Sequence, residues 1–400
     1  DGMKGASERI EQQLQMVRML QASGLSTYCR EVTSGCGPTM IVEGREVINC
    51  ISNSYMGFSV HPKVIEAARA ALSEYGMGIG GSPLACGTTR LHNRLAEVLA
   101  AHYGKQDALV FASGYKALAG TIQGLLSGKG DMALLDSLAH RSIIDGCVLA
   151  RCKMRSFKHN DAGDLAVLVE STQKCEGHRM VIVDSVYSMD GDVAPLPRMV
   201  EICRPAGVTI MIDEAHAMGI LGKTGRGLME HFNLPGGADV VAGTFSKFAG
   251  AVGGFCAADR DVIEYLRYFS SPYVFSAALP PATTAAVLTA FELLKSEPHW
   301  HAQLWDNVHY MLAEVKKLGF DTGTSCTPCI PIFVRDTEKV LRLCRALLDR
   351  GLYTSPVIHP GVPLKQERIR MGLMASHTRA HLDRALEILR TTGKEFELIP

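Results

Sequence analysis

No apolar run in this chain reaches the roughly 20 residues that a membrane span requires, and the first residues are polar and charged, unlike a signal peptide. Neither sign of charge is in excess. The 41 lysines and arginines offset 41 aspartates and glutamates, which argues against a broad electrostatic partner such as a nucleic acid. Internal repeats and low-complexity segments are absent. The twelve cysteines form no framework. Their one tight pair, Cys326 and Cys329, has no second pair and no histidine at zinc-ligand spacing, so two reduced loop thiols are expected and no metal site. Many free thiols point to a reducing cytoplasm. The chain begins at Asp1 without an initiator methionine, which fits a processed product and a domain of a longer protein equally well.

What is present describes a globular enzyme. The chain has 400 residues, 47% hydrophobic and 20% charged, enough for two domains. Residues 7–22 have the apolar spacing of an amphipathic helix (Ile10, Leu14, Val17, Leu20), expected to lie against another surface. Segments 39–42 and 46–50 read as a hairpin turning at Gly44. Helices are expected over 61–75 and 90–103, either side of a glycine-rich stretch at 76–87. Short apolar strands follow at 108–111, 132–135, 180–183, 208–212, 240–242 and 254–257, separated by helical stretches. Their lack of polar alternation predicts an α/β fold with a mostly parallel sheet buried on both faces. Beyond Pro280 and Pro281 a long helix, 283–296, leads to helices at 300–318 and 337–350 flanking a strand at 330–334. The expected division is an N-terminal helix and hairpin (1–55), a large domain (56–285) and a small α+β C-terminal domain (286–400).

Open α/β sheets bind ligands at the carboxyl ends of their strands. Asp213 stands at such an end, and Lys247 closes the run Thr244-Phe245-Ser246-Lys247 after another. Pyridoxal phosphate (PLP) chemistry needs that pair, an amine to hold the aldehyde as a Schiff base and a carboxylate to keep the pyridine nitrogen protonated. A buried carboxylate is costly without a charged or hydrogen-bonding partner, and a desolvated lysine gives up its proton more readily. His216, three residues after Asp213, is placed to reach a neighbouring phenolic oxygen. Gly114 opens a helix after the 108–111 strand, where backbone N–H groups can approach an anion; the plainer reading is an N-cap by Ser113. His140, beyond the 132–135 strand, is a candidate to stack on a ring or exchange protons, or else an ordinary loop histidine. The polar stretch 184–192 offers hydroxyls to a cofactor.

Nine ordered motifs resemble the α-oxoamine synthase family of PLP-dependent fold-type-I (aspartate-aminotransferase-like) enzymes. They lie at 53–57, 87–92, 113–115, 188–192, 213–216, 222–227, 244–247, 276–281 and 368–370, and the resemblance spans about residues 45–390. It implies a Schiff base on Lys247, which also serves as acid and base at the substrate Cα, with Asp213 on the ring nitrogen. His216 and Ser188 would contact the ring oxygen and His140 would stack on the ring. The Gly114 and Tyr115 backbone and the Thr244 hydroxyl would hold the phosphate. Arg370 would grip the amino-acid carboxylate, with Asn53 on the substrate side. Ser276 would reach the phosphate of a neighbouring subunit in a homodimer with shared active sites. The implied reaction condenses a small amino acid (alanine, glycine or serine) with an acyl thioester on CoA or a carrier protein, with loss of CO2, to give an α-aminoketone. Another fold-type-I reaction, such as transamination or aldol cleavage, and a non-catalytic partner subunit are the alternatives. Departures from the family pattern fall at Pro83, at Ala277 and Ala278, and over residues 361–366, all on the substrate side.

Overall fold

A computed structural model describes residues 4–400; the expectation about Asp1 lies outside the described residues. The central sheet has seven strands. In spatial order they are Asp107–Phe111, Gly254–Ala258, Val240–Thr244, Thr209–Asp213, Arg179–Asp184, Met132–Asp136 and Lys153–Phe157. Gly254–Ala258 runs against both its neighbours, and the other pairs are parallel. The interior strands are buried along nearly their whole length, as apolar runs without alternation require. Sequence reading missed Lys153–Phe157 for the converse reason. It is an edge strand with four exposed residues, two of them basic, the usual protection of an open edge.

Helices cover both faces, and the two apolar clusters on either side of the sheet make up most of the core. The expected helices appear as Pro62–Tyr75, Arg90–Tyr103, Pro281–Ser296, His299–Leu318 and Thr337–Asp349. The first helix runs Lys4–Ala22, and its Ile10 and Val17 remain exposed, without the covering surface its pattern calls for. The hairpin Thr39–Val42 and Arg45–Asn49 turns through Glu43 and Gly44, both at positive φ. Two left-handed residues match the twist of a two-residue hairpin. Its second strand also pairs in parallel with Leu352–Tyr353, so the two ends of the chain share one small sheet. A third sheet joins Cys329–Phe333 and Ser355–Val357 to Arg368–Gly372, antiparallel on both sides. Arg368 and Arg370, two residues apart, therefore project from the same face of that central strand.

One ionic strap holds the strand ends in place. His159 sits between Asp136, at the end of its strand, and Asp192, on the loop after Arg179–Asp184, with 3.0 Å contacts to each. Burial works against the imidazolium, yet the hydrogen bonds and charges of the two aspartates outweigh it and push His159 up to about 10. Since this lies above the ordinary 6.5, the stabilisation is fully present below about pH 6.5 and is lost as pH rises through about 10. His159→Gln is therefore expected to lower the denaturant midpoint at pH 7 and to differ less from the parent protein at pH 10. Equal deficits at both pH values would show that the strap is not ionic.

Candidate active site

The parallel strands deliver their carboxyl ends to one edge, and a cavity of about 270 Å³ opens there. Asp213 terminates its strand 3% exposed and is the register partner of Asp184 on the neighbouring strand. Each carboxylate has a local donor. The backbone N–H of Ala215 donates to Asp213 Oδ1 at 2.9 Å, and that of His140 donates to Asp184 Oδ2 at 3.0 Å. Burial pushes both carboxyls up, and the nearby Asp213 charge raises Asp184 further. Two carboxylates facing one small cavity leave it short of positive charge.

Lys247 supplies the one amine in the cavity wall. Burial lowers its pKa against the opposing pull of Asp213, and it makes no ion pair with any described residue. Such an amine is available as a nucleophile near neutral pH. His140 and His216 complete the polar wall. His140 caps the helix Arg141–Ala150, its Nδ1 lies 2.7 Å from Ser142 Oγ, and burial lowers its pKa. His216 is held well below the usual imidazole range by burial, with the Lys247 charge adding to the effect, and its Nδ1 lies 2.6 Å from the Tyr55 hydroxyl.

At the opposite end the helix Gly114–Leu125 begins. Ser113 is its N-cap, accepting from the Lys116 N–H at 3.2 Å. The cap leaves the other N–H groups of this first turn without helical partners, and Gly114, Tyr115, Thr244 and Ser246 line the cavity beside it. Gly114 is required by contact: a Cβ there would lie 2.4 Å from Thr244 Cβ. The Thr244 hydroxyl is 3.0 Å from Ser246 Oγ and donates to the Gly253 carbonyl at 2.9 Å. The Tyr115 hydroxyl turns away to Asp145, leaving its backbone at the cavity.

Arg370 lies beside this cavity, 5% exposed. Its Nε donates to the Ser188 carbonyl (2.5 Å) and its Nη2 to Asn53 Oδ1 (2.6 Å), to Tyr55 Oη and to Cys329 Sγ (both 3.3 Å). No described carboxylate pairs with it, which leaves a buried cation without an anion. Ser188 does not line the 270 Å³ cavity. It lies in the wall of a second cavity of about 880 Å³ that shares His140 and Asp184 with the first. Ser276 is also outside the first cavity, and its hydroxyl accepts from Lys116 Nζ at 2.5 Å. The sequence reading gave Tyr55 and Asp184 no individual role in this site and took Cys329 only as one of two loop thiols. Asp184 carries the same signal as Asp213, an acidic residue closing an apolar strand. Tyr55 and Cys329 meet only because distant segments fold together, with 2.8 Å between Tyr55 Oη and Cys329 Sγ. Cys326 is exposed and Cys329 buried, and no metal-ligand cluster occurs among the described residues.

Residues 45–389 match the family model of class I and II aminotransferases. The chain is 40% identical to 8-amino-7-oxononanoate synthase of Symbiobacterium thermophilum, over 95% of this chain and 97% of that one. It is 38% identical to serine palmitoyltransferase of Sphingobacterium spiritivorum, over 98% of each. A solved structure of serine palmitoyltransferase with its PLP internal aldimine superposes with a TM-score of 0.94 at 32% identity, covering 98% of this chain and 99% of that one. The chain belongs to the class I and II aminotransferase family and, within it, to the α-oxoamine synthases of PLP fold type I.

Lys247→Ala is expected to retain the fold but lose the visible absorbance that the protein gains on mixing with PLP, and borohydride should no longer fix the cofactor to it. Borohydride labelling of another lysine in the parent protein would remove Lys247 from its place.

Proposed function

We propose that this protein is a PLP-dependent acyltransferase that joins a small amino acid (alanine, glycine or serine) to an acyl thioester, on CoA or a carrier protein, releasing CO2 and free thiol and yielding an α-aminoketone. The observation that carries this reading is the conjunction of two basic groups without an ion-pair partner among the described residues, the amine of Lys247 in the cavity wall and the buried guanidinium of Arg370 beside it. One suits an aldehyde and the other a substrate carboxylate.

The side chains fit PLP. Asp213 and Asp184 leave the cavity short of a cation that a ring N–H⁺ would supply, and the helix start at Gly114 with Thr244 and Ser246 suits a phosphate. Lys247 would hold the cofactor, with His140 against its ring and His216 and Ser188 toward its oxygen. When bound there, PLP supplies an electron sink for charge developing at the substrate Cα. Asp213 keeps the partner nitrogen protonated, so the sink stays effective. Lys247 Nζ, kept from full protonation by desolvation, takes the proton from Cα and later returns one. Arg370, with Asn53 beside it, orients the amino-acid carboxylate, and orientation of this kind replaces much of the entropic cost of reaction. The acyl carbonyl accepts the new C–C bond, the thiolate departs, and the carboxyl group leaves as CO2.

The same reading includes a homodimer. Phe275, 86% exposed, directly precedes Ser276 in the chain, an exposed aromatic of the kind that an interface covers, and a second copy there would bring Ser276 toward the partner's phosphate site. No described helix is long and apolar enough to cross a membrane, and the twelve free cysteines support a reducing cytoplasm.

Two substitutions test the assignment. Arg370→Ala is expected to weaken amino-acid binding by about 2–4 kcal/mol, as for truncation of a desolvated charge pair, without changing the spectrum of the cofactor-loaded enzyme. Arg370→Lys should recover little, because a point charge does not reproduce the fork. Apparent affinities for alanine, glycine and serine that match the parent would take Arg370 out of the site. Asp213→Asn should leave PLP bound but slow exchange of the substrate α-proton with deuterated solvent by orders of magnitude. Parent-like exchange would mean that another group keeps the ring charged.

A further inference from the structure

The 880 Å³ cavity runs from His140 and Asp184 to the 360–366 segment, where the sequence departs from the family pattern. Its apolar wall is made by Leu138, Ile144, Met189, Val362 and Leu364. Three cationic side chains also reach it, and each already meets a carboxylate. Arg141 Nε pairs with Asp145 at 2.8 Å, out in solvent. His159 lies between Asp136 and Asp192. Arg368, almost wholly buried, donates to Asp190 at 2.7 Å and to the Met189 carbonyl at 3.0 Å, and its guanidinium lies over the Phe333 ring at 4.1 Å. His359 also lines it. Asp184 and Asp190 are carboxyl groups of the same wall, Asp190 engaged with Arg368.

A group ending in a carboxylate would find every described buried cation of this cavity already engaged by a carboxylate of the protein, with none left to replace its water. Desolvated charge without a partner is strongly disfavoured. An aliphatic chain meets only compatible surface. We propose that the acyl donor of this enzyme carries an uncharged aliphatic acyl group, seated between Leu138, Ile144, Met189, Val362 and Leu364, and not an acyl group with a terminal carboxylate. The inference rests on the acyl-transfer reading above. It also separates the two activities named for the relatives, since 8-amino-7-oxononanoate ends in a carboxylate and a palmitoyl group does not.

The test compares acyl thioesters of equal length with and without a terminal carboxylate, such as octanoyl against its ω-carboxylated counterpart. Each is offered on CoA and on a carrier protein to the PLP-loaded enzyme at pH 8 with alanine, glycine and serine, and thiol release is followed. The uncharged donor is expected to have a kcat/KM at least ten times higher. Equal or reversed values would overturn the inference while leaving acyl transfer standing. Absence of thiol release from every thioester, with cofactor bound, would instead refute the acyl-transfer reading and this inference with it. Leu364→Arg adds a cation at a position that is 68% exposed, where the fold tolerates it. It should lower KM for the carboxylated donor and shrink the preference several-fold. A preference untouched by Leu364→Arg, with both donors still turned over, would overturn the placement of the chain in this cavity.

Discussion

The site is organised around an electrostatic deficit. Asp184 and Asp213 end adjacent parallel strands in matching register, both are buried, and burial pushes both carboxyls up. The next residue, Glu214, is also buried and pushed up to about 7. Three acidic groups gathered at one sheet edge are tolerable only with donors aimed at them. The backbone supplies some, from Ala215, His140 and Leu228, and Ser185 supplies another. Lys247 answers part of the remainder, but at a pKa lowered by the same burial. A ligand with a positive ring nitrogen would relieve this deficit, and under the proposed function its phosphate would lie against the start of the Gly114 helix. The polarity of the cavity is thus fixed by the direction of the strands and by one helix N-terminus.

A second imbalance, of opposite sign, lies where chain segments far apart in sequence meet. Arg370 projects from a C-terminal strand, Asn53 and Tyr55 come from the N-terminal segment, and the Ser188 carbonyl comes from the loop after Arg179–Asp184. All its partners are formally neutral. They fix the orientation of the guanidinium without cancelling its charge, and that combination suits a residue meant to receive an anion. Tyr55 also bonds His216, so the guanidinium and the cofactor-side histidine share one hydrogen-bonded neighbour. Displacement of Arg370 would be felt at His216, and the reverse.

The sequence made the sheet and its catalytic edge readable because both depend on local signals. Apolar runs without alternation gave six of the seven central strands, and an acidic or basic residue closing such a run marked Asp213 and Lys247. The missed strand, Lys153–Phe157, has the exposed and charged character of an edge, which periodicity cannot tell from a loop. The roles of Ser188 and Ser276 were drawn from a resemblance alone. In the structure Ser188 offers its carbonyl to Arg370, and Ser276 lies beside Lys116 on the surface. Cys329 and Tyr55 illustrate the limit most clearly. Each is unremarkable in its own segment, and only the packing of residues 274 positions apart makes them one contact.

The same reasoning explains why chemistry and specificity separate along this chain. The groups proposed to hold the cofactor sit on strand ends and helix starts, where one displaced backbone atom would break several contacts. The approach of Gly114 to Thr244 leaves no space even for a methyl group. The 880 Å³ cavity is instead closed by the 360–366 segment, which carries exposed Leu364 and has no part in the central sheet. Substitutions there change the size and polarity of the space without touching Lys247, Asp213 or Arg370. An acyl chain is therefore the substrate portion free to differ between relatives that share one reaction. The cations in its wall, each already paired within the protein, would favour an acyl group without a charge of its own.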